Sequence, residues 1–171
     1  MTSLESMPPV GILMKGTAHF GRRQSLLETR RKAMTFHETI SLSTKGFSDM
    51  IDITDGVLSA IKRSKKEDGL VTVFCPGSTG ALTTIEYEPG VLRDLQRAIE
   101  KIVPSTIPYE HDRRWGDGNG FSHVRAALMK PCLTIPLIAG RLTLGTWQQI
   151  VFIDFDNRSR RRDLVVHVMG D

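Results

Sequence analysis

The chain has 171 residues, of which 40% are hydrophobic and 25% are charged, and a formal net charge of +4. This size and composition are typical of one globular domain with a single core. The longest apolar runs, "LVVHV" and "IVFIDF", are too short to span a bilayer, and no secretory signal is apparent. Two distant cysteines without a CxxC motif exclude a zinc knuckle or redox pair and favour a cytoplasmic protein.

The positive charge is confined to the beginning of the chain. Residues 1–32 contain six Lys or Arg and two Asp or Glu, so they account for the whole surplus. The remaining residues carry no net basic field, which argues against a nucleic-acid partner. We interpret residues 1–33 as a disordered N-terminal extension and residues 34–171 as the folded domain. A functional basic arm is the alternative for the extension.

Strand and helix signals alternate through the first half of the domain. The alternating pattern of "TFHETISLST" predicts a half-buried strand from Thr35. The segment "MIDITDGVLSAIKRSKKEDG" predicts a helix that begins near Thr54 or Asp55 and ends before Gly69. The β-rich runs "GLVTVFCP" and "ALTTIEYEP" predict two further strands. The clearest helix covers residues 90–103, where apolar residues recur at helical spacing.

The second half begins with a long loop and ends in strands. The loop "STIPYEHDRRWGDGNGF" is followed by a short helix from His123 to Met129. The segments "CLTIPLIAG", "RLTLGTWQQIVFIDFD" and "RDLVVHVMG" then read as β-structure. Helices are too few for a doubly wound parallel sheet. We predict one α+β domain with a mixed or antiparallel sheet and two to three helices.

Two histidines in the stretch "PYEHDRRWGDGNGFSHV", His111 and His123, are the strongest candidates for chemistry. Histidine titrates near neutral pH and is the commonest metal ligand. The spacing is neither HxxxH nor HExxH, so the two side chains can meet only if the loop folds back. A metal site, an acid–base pair and two surface or capping histidines all remain open.

Two other motifs can bind anions. The turn in "PGSTGAL" can present backbone N–H groups to an anion, although it is not a P-loop and the pattern favours a hairpin or bulge over a phosphate site. The arginine run in "NRSRRRDL" is most often a solvated surface and less often a phosphate or subunit contact. These residues alone indicate no reaction class.

Several stretches together resemble the YjbQ family, also called secondary thiamine-phosphate synthase enzymes. They are "GLVTVFCPGSTGALTTIEYEP", "YEHD", "GNGFSHVRAALM" and "LTIPLIAGRLTLGTWQQIVFIDFDNRSRRR". The resemblance implies a β-sandwich-like sheet, a homotrimer and weak or incidental thiamine-phosphate synthase activity, a transferase reaction on phosphorylated small molecules. The alternative is a non-catalytic trimer that binds a metabolite or a metal.

The resemblance also implies a set of functional residues. It gives catalytic roles to His111, His123 and Asp112, and a divalent metal, zinc or magnesium, to the two histidines. The residues expected to bind a small anionic or phosphorylated ligand are Ser78, Thr79, Asn119, Arg125, Gly145, Thr146, Trp147 and Gln148. One departure weakens the metal prediction: many family members have a histidine where this chain has Gly77, and zinc sites usually have three protein ligands.

Overall fold

The computed structural model describes residues 34–171, and the predicted N-terminal extension, residues 1–33, lies outside the described part. Within it, strands and helices follow in the order β1 Thr35–Thr44, β2 Asp49–Asp52, α1 Thr54–Ser64, β3 Gly69–Phe74, β4 Gly80–Ile85, α2 Pro89–Ile102, α3 Glu110–Trp115, α4 Gly120–Met129, β5 Cys132–Ile138, β6 Arg141–Leu142, β7 Gln149–Asp154 and β8 Arg160–Gly170. None of these helices is long and apolar enough to cross a membrane.

The strands form two antiparallel sheets. The larger has the order β1-β8-β3-β5-β6, and the smaller has the order β2-β7-β4. Neighbouring strands are often distant in sequence: β1 pairs with β8 from Thr35 opposite Met169 to Thr44 opposite Arg160. The predicted α+β domain with antiparallel, sandwich-like sheets is confirmed.

Two hydrophobic cores divide the domain into three layers. The main core lies between the sheets and is closed by Val57 and Ile61 of α1; it includes Val71, Val73, Ile150, Phe152, Leu164, Val166 and Val168. The second core packs Ile99 of α2 and Ala126 of α4 against the other face of the smaller sheet, at Ala81, Val151, Ile153 and Phe155. Strand β7 contributes alternate residues to both cores, and a strand buried on both faces reads as a continuous apolar run.

The predicted loop before α4 contains one more helix than we expected. Helix α3 forms over six residues and ends at Gly116, whose φ of 69° is the left-handed conformation that favours glycine at a helix end. Helix α4 begins at Gly120, three residues before the predicted start. A six-residue helix has too few turns to show apolar periodicity. The strand-like segment "RLTLGTWQQIVFIDFD" likewise divides into β6 and β7, with a loop between them.

Candidate functional site

An open cavity of about 580 Å³ lies where the loop before β4, helices α3 and α4, and the beginning of β8 come together. Its wall consists of Gly77, Ser78, Thr79, His111, Trp115, Asp117, Asn119, His123, Asp156, Arg160, Arg161 and Arg162. Volumes in this range are typical of small-molecule sites. The lining is mostly polar and combines imidazoles, guanidinium groups, carboxylates and hydroxyls.

The two histidines meet because α3 and α4 are linked at their facing ends. Asp112 of α3 accepts a hydrogen bond from the backbone N–H of Gly120 at 2.7 Å. Gly120 also approaches Tyr109 so closely that an added Cβ would lie 2.5 Å from the tyrosine Cβ, so glycine is required there. The ring centroids of His111 and His123 consequently lie 4.3 Å apart.

Asn119 and Asp117 complete the polar cluster around the histidines. With the amide assigned so that its nitrogen faces the rings, Asn119 Nδ2 lies 3.2 Å from His111 Nε2 and 3.3 Å from His123 Nε2. Asp117 Oδ2 lies 3.3 Å from His111 Nε2 and is the second polar neighbour of this nitrogen. Both imidazoles therefore direct Nε2 toward the same small volume.

His123 lies in an environment that disfavours its charged form. Burial lowers the pKa of His123 below its ordinary value, and the neighbouring charge of His111 acts in the same direction. The carboxylates of Asp117, Asp156 and Asp112 oppose this effect but do not outweigh it. His123 is consequently mostly neutral at pH 7 and can either donate or accept a hydrogen bond.

The opposite wall is a network of arginines and buried aspartates. Arg162 binds Asp154 through Nε to Oδ2 at 2.8 Å and through Nη2 to Oδ1 at 2.7 Å. Arg160 Nε donates to Asp156 Oδ2 at 2.8 Å, and Thr79 Oγ1 donates to the same oxygen at 3.1 Å. Burial acts to raise the pKa of Asp156, but Arg160, with Thr79 and Arg162, outweighs burial and holds the pKa below its ordinary value.

The loop before β4 contributes two residues to the cavity wall whose backbone N–H groups are unused by the described residues. Gly77 and Ser78 are exposed, and their backbone N–H groups donate to no residue of the described part. Gly77 has a φ of 122°, a conformation that side chains other than glycine rarely adopt. An added Cβ would approach only Arg162 Nη1, at 3.7 Å. Glycine is therefore favoured at position 77 by the backbone conformation and not by crowding, because the space beside its Cα is almost open.

The structure brings together three of the eight residues predicted to bind a ligand. Ser78, Thr79 and Asn119 line the cavity together with both histidines. Asp112 does not line the cavity. It accepts a hydrogen bond from the backbone of Gly120, and this contact positions α4.

The other predicted residues lie elsewhere. Arg125 is 4% exposed and donates from Nε and Nη2 to the carbonyl of Val103, at the end of α2. The "GTWQ" residues, at 145–148, form the loop before β7, outside the cavity lining. In that loop Gln148 accepts from the backbone N–H of Gly145 at 2.8 Å.

Sequence reasoning missed Asp117, Asp156, Arg160 and Arg162 as lining residues. The available signal was spacing: Asp154 and Asp156, like Arg160 and Arg162, are two positions apart and so share a face of extended chain. For the arginine run, a solvated surface and a phosphate or subunit contact both stay open at the level of sequence, because periodicity alone does not reveal that a buried carboxylate lies opposite. The side-chain ion pairs between the end of β7 and the beginning of β8 supply that information.

A family profile and individual relatives of this chain indicate the same protein family. The profile described as UPF0047 protein YjbQ-like matches residues 38–171. A UPF0047 protein of Archaeoglobus fulgidus is 40% identical over 126 residues, which is 74% of this chain and 96% of the relative. UPF0047 protein MJ1081 of Methanocaldococcus jannaschii is 32% identical over 131 residues, which is 76% of this chain and 91% of the relative.

Solved structures agree with these matches. The crystal structure of a YbjQ-like protein of unknown function from Sulfolobus solfataricus superposes with a TM-score of 0.76 at 26% identity and covers 80% of this chain and 98% of its own. An uncharacterised conserved protein of the YjbQ/UPF0047 family from Clostridium acetobutylicum gives 0.71 at 35% identity, over 77% and 99%. The fold predicted from the resemblance is thus shared along nearly the whole length of the relatives.

The same comparisons correct the expected activity. These relatives are described as UPF0047 proteins or as proteins of unknown function, and none of the descriptions carries a thiamine-phosphate synthase activity. The prediction of that activity is therefore wrong as an inference from family membership. What the profile match and the identities establish is membership itself: the chain belongs to the YjbQ-like family of UPF0047 proteins.

Proposed function

We propose that the cavity binds a small phosphorylated or otherwise anionic metabolite. The observation that carries the proposal is that Gly77 and Ser78, whose backbone N–H groups donate to no described residue, line one cavity of about 580 Å³ with three consecutive arginines, Arg160 to Arg162. Backbone N–H groups in a positive-φ turn form a concave anion site, and guanidinium groups match the geometry of phosphate oxygens.

Arg161 supplies the least committed positive charge in the wall. Arg160 and Arg162 are bound to the buried carboxylates of Asp156 and Asp154, so their charges are largely neutralised. The side chain of Arg161 is 77% exposed, and its nearest carboxylate, Asp163, is 4.0 Å away. Arg161 is therefore the lining arginine whose charge is least neutralised by a carboxylate.

The histidines provide the remaining polar contacts for an anion. A neutral His123 carries one ring N–H group, and this group can donate a hydrogen bond to a ligand oxygen. His111 Nε2, 3.3 Å from Asp117 Oδ2, lies in the same wall and can hydrogen-bond to the ligand. The cavity can thus surround an oxyanion with neutral and charged donors.

Calorimetric titration with inorganic phosphate, at low ionic strength and pH 7, tests the proposal. We expect saturable binding to the wild type and about fivefold weaker binding to Arg161→Gln, because a screened surface charge contributes about 1 kcal/mol. Arg97→Gln is the matched control: this arginine on α2 is also exposed, pairs with Asp94, and lies outside the cavity lining.

Two results would contradict the proposal. Phosphate that fails to bind saturably would remove its basis. Equal weakening by the Arg161 and Arg97 substitutions would mean that phosphate responds to overall charge and not to this cavity, since the two substitutions change the net charge identically.

A metal at His111 and His123 stays a prediction from the resemblance. Both Nε2 atoms point toward Asn119, but within residues 34–171 no group of three or more His, Cys, Asp or Glu side chains is arranged to hold a metal. Zinc sites usually have three protein ligands, and Gly77 contributes no side chain, so the donor set does not fit a complete site. Elemental analysis of the wild type and of His111→Ala/His123→Ala tests this prediction directly.

We further propose a homotrimer in the cytoplasm, as the resemblance implies. The outer face of the larger sheet supports assembly, because it exposes Leu70 and Phe74 of β3, Ile138 of β5 and Met169 of β8. Contiguous exposed apolar side chains commonly mark protein interfaces. Both cysteines are free thiols, as expected in a reducing compartment.

A further inference from the structure

We infer that the ligand of this cavity carries a hydrogen-bond donor, a hydroxyl or an amino group, close to its anionic group, and that Asp156 is the acceptor. The inference rests on the proposed function and narrows it from any small anion to hydroxylated or aminated ones. It depends on the contacts of one buried carboxylate and on the composition of the cavity wall.

Asp156 has one oxygen that is fully bonded and one that is not. It is 1% exposed, and Oδ2 accepts from Thr79 and Arg160, with Arg162 Nη2 at 3.4 Å. Oδ1 is buried and has no hydrogen-bond partner among the described residues. Most buried carboxylate oxygens are hydrogen-bonded, because leaving one without a donor costs free energy.

The residue that carries the unpartnered oxygen lines the cavity. Asp156 lines it, and so do all three residues that donate to its other oxygen, Thr79, Arg160 and Arg162. These contacts fix the carboxylate in the wall by one edge. The second oxygen is buried, so a ligand donor reaches it when a neighbouring side chain moves aside. A hydroxyl or amino group placed there would complete the hydrogen bonding of Asp156.

The wall composition favours a ligand that carries both an anionic group and a hydrogen-bond donor over a simple anion. Two carboxylates, Asp117 and Asp156, share the cavity with the three arginines. A bare phosphate would be attracted by the guanidinium groups and repelled by both carboxylates. A ligand that presents an O–H or N–H to a carboxylate and an oxyanion to an arginine converts this repulsion into a hydrogen bond.

A small recess next to the cavity fits the carbon skeleton of such a ligand. It has a volume of about 160 Å³ and shares Gly77, Ser78 and His123 with the cavity. Its remaining lining is mainly apolar, with Ala126, Ala127 and Pro131. Inorganic phosphate has no part that would occupy apolar space, whereas a short-chain phosphate ester has.

Titration with three phosphate esters of similar size tests the inference. Glycerol 3-phosphate carries hydroxyl donors, phosphoethanolamine carries an ammonium donor, and propyl phosphate carries neither. We expect the wild type to bind at least one of the first two about tenfold more tightly than propyl phosphate, which is the discrimination of one hydrogen bond to a charged group. The ester that is preferred identifies the donor as hydroxyl or ammonium.

Asp156→Asn provides the second arm. The asparagine oxygen would remain with Arg160 and Thr79, so its NH₂ group would replace Oδ1 and turn the acceptor into a donor. We expect the affinity ratio between the preferred ester and propyl phosphate to fall from about tenfold to near one. A thermal unfolding transition shows whether the variant is folded. If it is not folded, the affinity ratio measured on the wild type still tests the inference.

The outcomes separate this inference from the proposed function. Equal wild-type affinity for all three esters would overturn the inference and leave the anion site intact. A preference that persists in Asp156→Asn would overturn the role of Asp156 as acceptor. If none of the esters and no inorganic phosphate binds, the proposed function itself fails.

Discussion

Arg162 of β8 holds Asp154 of β7 through two parallel hydrogen bonds, and this pair joins the larger sheet to the smaller one. Asp154 is completely buried, and the side chain of Arg162 is 11% exposed. The carboxylate also accepts from Thr44 of β1 at 2.6 Å and from the backbone N–H of Asp156 at 3.0 Å. The pair therefore holds the end of β7 in place, and with it the segment that carries Asp156 into the cavity wall.

Removing the arginine should destabilise the fold strongly. Arg162→Ala leaves the buried carboxylate of Asp154 without a counter-charge, and we expect the free energy of unfolding to fall by about 3 to 5 kcal/mol. Arg161→Ala is the matched control, because its exposed side chain should contribute less than about 0.5 kcal/mol. Urea denaturation of both variants measures the difference. Similar losses in the two variants would show that the sheets do not depend on this ion pair.

The acid side of the stability curve should depend on Asp156. Its pKa is lower in the folded protein than its ordinary value of 3.8, so ionised Asp156 stabilises the fold above that pH. This stabilisation is lost as the pH falls through the lowered, folded-state pKa. We expect the free energy of unfolding of the wild type to fall more steeply below about pH 4 than that of Asp156→Asn. Parallel curves for the two proteins would contradict the expectation.

Arg125 should act on stability and not on ligand binding. Its guanidinium group donates to the carbonyl of Val103 and to Ser48 Oγ at 3.2 Å, forms an ion pair with Glu100, and lies 4.8 Å from the ring centroid of Phe121. We expect Arg125→Met to lower the free energy of unfolding by about 2 to 4 kcal/mol, because buried acceptors lose their donors.

Phosphate titration of the folded Arg125→Met protein decides between the two roles. The affinity should stay within about twofold of the wild type if the contacts of Arg125 lie in the core. A loss of affinity as large as that of Arg161→Gln would restore the role in ligand binding that the sequence predicted for Arg125.

The proposed trimer can be tested on the outer face of the larger sheet. The double substitution Leu70→Lys/Phe74→Lys places two charges in its apolar patch, and we expect light scattering to report a monomer where the wild type is a trimer. Leu58→Lys, on the exposed side of α1, introduces a similar charge outside this face and should leave the mass unchanged. A wild-type mass other than three chains would contradict the trimer.

Local sequence signals predicted the principal elements of the domain. Helix α2 followed from apolar residues at helical spacing, and Glu88 caps it by accepting from the backbone N–H of Val91. The alternation in residues 35–44 predicted β1 within one residue of its observed beginning and end. These patterns are readable because a helix or strand exposes one face, and one face imposes a period on the sequence.

The site depended on contacts that have no local signal. His111 and His123 were found from residue type, but their approach required α3, a six-residue helix that the sequence did not reveal. Arg160 and Arg162 gained a role only because β8 places them against carboxylates at the end of β7. No sequence pattern marked Asp117 as a site residue. Its carboxylate lies next to the His111 ring because the chain turns between these two residues.

The sequence by itself thus determined the α+β class, the main strands and helices, the family, and the two histidines. Only the tertiary structure decided which polar residues share one cavity, that Arg125 belongs to the core, and that Asp156 keeps an oxygen without a donor. The physical reason is the range of the interactions. Periodicity and capping act over a few residues, whereas ion pairing and burial join residues that the sheet order brings together from distant parts of the chain.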